Sequence, residues 1–236
     1  EGQYPWYFRA LKDRNGIPVL YAQGHSSKKG PWHPKGVFRV VAANASYEAG
    51  DRLAVPNQEF SVLSMADASS VTKDGSSLYI YTGKDGRLIL FNESGKVEWM
   101  TDEGFGGSSL RYELAKTQTS GGEREFVFFQ PKMAIYDYKS DGRPELFVMR
   151  NIESSDYLFA NTRVFKKGRI EVHGFNDMGL ESETAPKRLP GVVTSLAVAD
   201  YDNDGRPELL VTMIKKGGTI ISSKRNSIMV AYELVE

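Results

Sequence analysis

Asp200-Tyr201-Asp202-Asn203-Asp204-Gly205-Arg206-Pro207-Glu208 carries acids at alternate positions 1, 3 and 5, a glycine at 6 and a fourth acid at 9. Oxygen ligands wrap a hard cation in this way, with side chains at 1, 3 and 5, a backbone carbonyl at 7 and glycine for the tight turn. Asp200, Asp202 and Asp204 stand at the side-chain positions, Arg206 at the carbonyl position and Glu208 at position 9, with calcium the natural ion. A helix-flanked calcium loop would place its last acid at position 12. Here the flanks, Ser195-Leu196-Ala197-Val198-Ala199 and Leu209-Leu210-Val211-Thr212-Met213-Ile214, are apolar runs of strand length, so the loop joins two buried strands.

Working outward, the same plan recurs three times: an apolar run, a turn with glycine, a second apolar run. The copies centre on Asp13-Arg14-Asn15-Gly16, on a longer turn from Asp67 to Asp74-Gly75, and on Asp137-Tyr138-Lys139-Ser140-Asp141-Gly142-Arg143-Pro144-Glu145. The glycines at 16, 75, 142 and 205 lie 59, 67 and 63 residues apart. A period of that size matches one four-stranded propeller blade per repeat. The expectation is an all-β chain, a single β-propeller domain of about four blades over residues 1–58, 59–125, 126–190 and 191–236.

Later strands fill each repeat. Arg87-Leu88-Ile89-Leu90-Phe91, the turn Asn92-Glu93-Ser94-Gly95 and Lys96-Val97-Glu98-Trp99-Met100 read as a hairpin. Leu110, Tyr112 and Leu114 alternate with charged residues, a strand that pairs with Phe126-Val127-Phe128-Phe129. In the third repeat, Lys166-Lys167-Gly168 reads as a turn between Thr162-Arg163-Val164-Phe165 and Arg169-Ile170-Glu171-Val172. The last repeat is one strand short. Either Tyr4-Pro5-Trp6-Tyr7 completes it, or a longer parent chain or a partner does.

The segment Val198 to Val211 resembles the FG-GAP/VCBS repeat of integrin-α-type propellers and of bacterial surface and secreted proteins, and Asp137 to Val148 is a second clear copy. The resemblance implies a calcium loop at Asp200, Asp202, Asp204, Arg206 and Glu208. In the third copy Asp137, Asp141 and Glu145 match, but Lys139 occupies the second acidic position. Its ammonium is expected to replace the ion and hold the turn by charge-assisted hydrogen bonds. Leu11 and Val19 at ligand positions make the first copy metal-free, and the expanded second loop puts Asp67 and Asp74 out of spacing. One Ca2+ site in four repeats is expected.

Composition narrows the function. Thirty basic and thirty acidic residues leave no electrostatic footprint for nucleic acid, and no run is long and apolar enough for direct membrane insertion. Cysteine is absent, removing thiol chemistry. His25, His33 and His173 fall in no metal-ligand spacing, and no nucleophile elbow or phosphate loop occurs, so no catalytic residues are assigned. The chain opens on Glu1 without methionine or visible targeting segment, so upstream processing or truncation is expected. The loop carrying Lys28, Lys29 and Trp32 is basic and aromatic, suited to contact with a sugar or a partner. The expected function is a non-enzymatic, calcium-stabilised binding or scaffold module, extracytoplasmic and part of a larger envelope or surface assembly. The alternative is a carbohydrate-binding or carbohydrate-active propeller with its site in the central channel.

Overall fold

The computed structural model describes residues 6–24, 36–44, 46–57, 59–113, 126–153, 163–176, 179–184, 187–219 and 222–234. They form two compact units, one of residues 1–103 with 110–130, the other of 104–109 with 131–236. Each unit holds two larger antiparallel sheets built on a meander of consecutive strands, and the first unit also holds a separate two-stranded hairpin. Four such meanders, one per repeat, give the chain the fold class of a four-bladed β-propeller.

In the first unit, β1 (Trp6–Lys12), β2 (Pro18–Gly24), β3 (Val37–Ala43) and β4 (Ser46–Leu53) make the first sheet. The second is β5 (Ala66–Asp67), β6 (Leu78–Thr82), β7 (Arg87–Asn92) and β8 (Val97–Gly104), entered through a 3-10 turn at Val62–Ser64. Alternation along the strands turns Val19, Tyr21 and Val37 of one sheet toward Tyr79, Tyr81 and Phe91 of the other, with Phe60 and Met65 of the segment leading into β5 in the same cluster, all buried. A small hairpin of β9 (Arg111–Glu113) and β10 (Phe126–Phe128) completes the unit, at the place where the alternation of Leu110 and Tyr112 indicates strand.

The second unit begins with β11 (Ala134–Tyr136), β12 (Glu145–Glu153), β13 (Phe165–Asn176), β14 (Gly179–Ser182) and β15 (Lys187–Leu189). Its other sheet has three strands, β16 (Val192–Ala199), β17 (Glu208–Thr219) and β18 (Ser222–Glu233). Phe147, Met149, Ile170 and Leu189 of the first sheet pack against Val193, Leu196, Leu209, Val211 and Met213 of the second.

In both units a buried amide ties one sheet to the next. Gln23 Nε2 donates to the Phe60 carbonyl at 2.8 Å and its Oε1 accepts from Val62 N–H at 2.8 Å. Asn151 Nδ2 donates to the carbonyls of Gly107 at 2.7 Å and Val193 at 2.8 Å, while Oδ1 accepts from Val193 N–H at 2.9 Å. Each amide satisfies main-chain groups of segments that lie apart from its own strand in sequence, where an unpaired buried polar group is costly.

One sequence reading is corrected and one open alternative is settled. Residues 166–168 are no turn, because β13 runs through them with Gly168 opposite Asn151. A Cβ on Gly168 would meet Asn151 Oδ1 at 2.5 Å and Val193 Cγ2 at 2.7 Å, so this glycine serves close packing. Trp6 and Tyr7 do not complete the fourth repeat. They open β1, in register with Gly24 and Gln23 of their own sheet.

Candidate metal centre

The four repeat turns occupy one place in the fold, each joining the first strand of its sheet to the second: β1 to β2, β5 to β6, β11 to β12 and β16 to β17. The turn between β16 and β17 folds by using its own acids. Asp200 accepts Asp204 N–H at 3.1 Å and Gly205 N–H at 3.0 Å, and Asp202 Oδ1 accepts Asp204 N–H at 3.2 Å. Asp204 Oδ1 accepts Arg206 N–H at 2.8 Å, and Glu208 Oε2 accepts Tyr201 N–H at 2.7 Å. Asn203 (φ 61°) and Gly205 (φ 89°) supply the left-handed residues that curl the loop. A Cβ on Gly205 would meet nothing within 4 Å, so backbone angle rather than space selects glycine there.

The result gathers Asp200, Asp202, Asp204 and Glu208, each with one carboxylate oxygen, within 4.8 Å of one another. Oxygen ligands about 2.4 Å from a shared centre span about that distance, so the donor set fits a hard divalent cation. The three aspartates are exposed and Glu208 is buried. Four carboxylates so close, one of them out of water, repel strongly unless a cation lies among them. Arg206, the sequence's candidate carbonyl ligand, follows Gly205 on the exposed turn.

The turn between β11 and β12 repeats these bonds. Asp137 accepts Asp141 N–H at 3.1 Å and Gly142 N–H at 2.8 Å, Asp141 accepts Arg143 N–H at 2.8 Å, and Glu145 Oε2 accepts Tyr138 N–H at 3.3 Å. Ser140 (φ 54°) and Gly142 (φ 79°) take the left-handed places. The chain supplies the cation here: Lys139 Nζ lies 3.2 Å from Glu145 Oε1 and 2.7 Å from Glu183 Oε2. Glu145 is only 2% exposed, so the lysine pairs an otherwise uncompensated buried charge. The hydrogen bonds to Glu183 and then to Glu145 raise the Lys139 pKa above the ordinary lysine value. A raised pKa stabilises the fold fully below the ordinary value and ceases to do so as pH climbs through the folded one, so this pairing is constant through the neutral range.

The remaining turns lack the constellation. Asp13 Oδ1 caps a short hairpin by accepting Asn15 and Ile17 N–H, both at 2.9 Å. Asp67 and Asp74 accept Ser69 N–H at 2.8 Å and Ser76 N–H at 2.9 Å respectively. Lys28, Lys29 and Trp32 lie outside the described residues, as do His25 and His33. His173 is buried, 3.4 Å from Glu171 and edge-on to Phe105. Burial alone would raise the Glu171 pKa, but the neighbouring His173 and the hydrogen bond from Arg169 lower it below the usual carboxylate value.

Glu183 is the site residue that sequence reasoning missed. It falls in no spacing relative to Asp137 or Glu145, and only the pairing of β13 with β14 brings its neighbourhood to the loop. No helix among the described residues is long and apolar enough to cross a membrane. No curated protein matches the chain. Residues 137–211 match the family model of the FG-GAP-like repeat, a span that opens on the first aspartate of the third turn and closes inside β17. Both complete turns fall within that span, and over it the chain is similar to the FG-GAP-like repeat.

Proposed function

We propose that this β-propeller is a non-enzymatic binding or scaffold module, stabilised by one calcium ion at the Asp200 loop and working outside the cytoplasm. The observation that carries the calcium reading is the contrast at one loop position. Two turns with the same hydrogen-bond plan and a buried glutamate at the same place differ in that one carries Lys139 against its glutamate and the other Asp202 within a four-acid cluster. Asp200, Asp202, Asp204 and Glu208 would hold the ion, with the Arg206 carbonyl completing the set. The ion supplies the positive charge that Lys139 supplies in the neighbouring turn.

A loop with extracellular-type affinity, about 0.1–1 mM, suits a compartment with millimolar calcium. At tenfold excess over Kd the ion adds about 1.4 kcal/mol to stability. The expected result is a melting temperature several degrees higher in millimolar calcium than in chelator, measured by differential scanning fluorimetry. Identical melting and protease sensitivity in both would refute the calcium reading.

The binding role draws on the first sheet. Trp6 and Phe8 are 42% and 57% exposed on β1, with Trp6 edge-on to Phe38 at 6.4 Å. Exposed apolar sheet surface of this kind is characteristic of contact surfaces. A Phe8→Asp variant with unchanged melting temperature is expected to lose capture of the partner; undiminished capture would move the contact elsewhere.

A further inference from the structure

We infer that β18 is a self-association edge, pairing antiparallel with β18 of a second copy of this chain. The inference is independent of the calcium reading. Among the described residues β18 pairs with β17 alone, in continuous register from Glu208↔Glu233 to Thr219↔Ser222, and its other edge has no strand partner among them. Such an edge is a template for another strand unless proline, lysine or inward-pointing charge blunts it; residues 222–233 contain no proline, and their one lysine, Lys224, lies outside the stretch from Arg225 to Glu233.

The sequence of β18 is complementary to its own reverse. In an antiparallel pair centred on Met229, Arg225 of each copy stands opposite Glu233 of the other, and Ile228 opposite Val230. Arg225 and Glu233 are both exposed and make no hydrogen bond or ion pair among the described residues. Within the chain, Glu233 faces another acid, Glu208, across the ladder. The second copy adds, on the free side, two symmetric opposite-charge pairs. Between them lie Ile228 and Met229, 37% and 52% exposed, which the pairing covers. Two-fold symmetry makes the contact closed, giving a dimer rather than a fibre.

Sedimentation velocity of the whole chain, with Arg225→Glu, Glu233→Arg and the double variant, tests the proposal. A concentration-dependent dimer is expected for the unaltered chain. Each single reversal, which sets like charges opposite at both ends, should raise the dimer Kd about tenfold or more, and the double exchange should restore it. Matching circular dichroism spectra keep the comparison among folded proteins. A chain that stays monomeric at the highest concentration reached overturns the inference. If its β18 amides then resist hydrogen exchange on both edges, a strand of the same chain covers the edge instead. A dimer indifferent to the single reversals, or not restored by the double exchange, also overturns it by placing the contact on another surface.

Discussion

Asn151→Ala is expected to lower the stability of the second unit by about 3 kcal/mol or more, among the largest effects of any single polar substitution in the chain. The Asn151 amide makes three hydrogen bonds, to the carbonyls of Gly107 and Val193 and from Val193 N–H, and the residue is 7% exposed. Each buried group left without a partner costs about 1–3 kcal/mol, far more than the net value of an average hydrogen bond. For a unit of this size the melting temperature should fall by roughly 10 °C or more. Urea denaturation monitored by circular dichroism gives the free energy directly. A change below about 1 kcal/mol would mean that solvent enters and replaces the amide, so that Asn151 does not tie the two sheets.

Phe91→Ala should cost about 3–5 kcal/mol, by removing the ring at the centre of the first unit's core. Phe91 is fully buried, with ring centroids of Tyr79 at 5.5 Å, Phe60 at 5.6 Å and Tyr81 at 5.7 Å. Three aromatic neighbours held by their own packing cannot collapse into the space, which places the expected loss at the upper part of the large-to-small range. Phe91→Leu, which keeps most of the volume, should cost far less. Equal losses for the two variants in urea titrations would show that the aromatic geometry, rather than filled volume, carries the stability.

The turns were legible in the sequence because their signals are local. Glycine at a left-handed position and acids that accept the turn's own N–H groups act within a few residues, so Gly142 and Gly205 could be placed before any fold was known. Strands followed from apolar runs of the right length, as in Leu209 to Ile214, of which Leu209, Val211 and Met213 face one core. The same local logic misread Gly168. A polar pair followed by glycine has the composition of a turn, and nothing nearby reveals that Asn151 and Val193 press against that backbone from distant strands. Whether Trp6 and Tyr7 complete the fourth repeat was left open for a related reason, since an aromatic strand carries no mark of which sheet edge it joins. The partners of Lys139 divide along this line. Glu145 lies in the same loop and was expected from spacing, whereas Glu183 arrives through tertiary structure 44 residues away. Buried amides are equally invisible, because Gln23 and Asn151 look like ordinary polar interruptions of apolar strands.

The third and fourth turns each hold a buried glutamate, met by a lysine in one and, in the function proposed, by a calcium ion in the other. Exchange of the deciding residue tests this most directly: melting temperature in calcium and in chelator for the unaltered chain, Asp202→Lys and Lys139→Asp. The account predicts that calcium raises the melting temperature of the unaltered chain. In Asp202→Lys, which stays folded, that response is lost; Lys139→Asp is weakened in chelator and regains stability with calcium. A calcium response that survives Asp202→Lys, or a Lys139→Asp chain that calcium does not rescue, would contradict it.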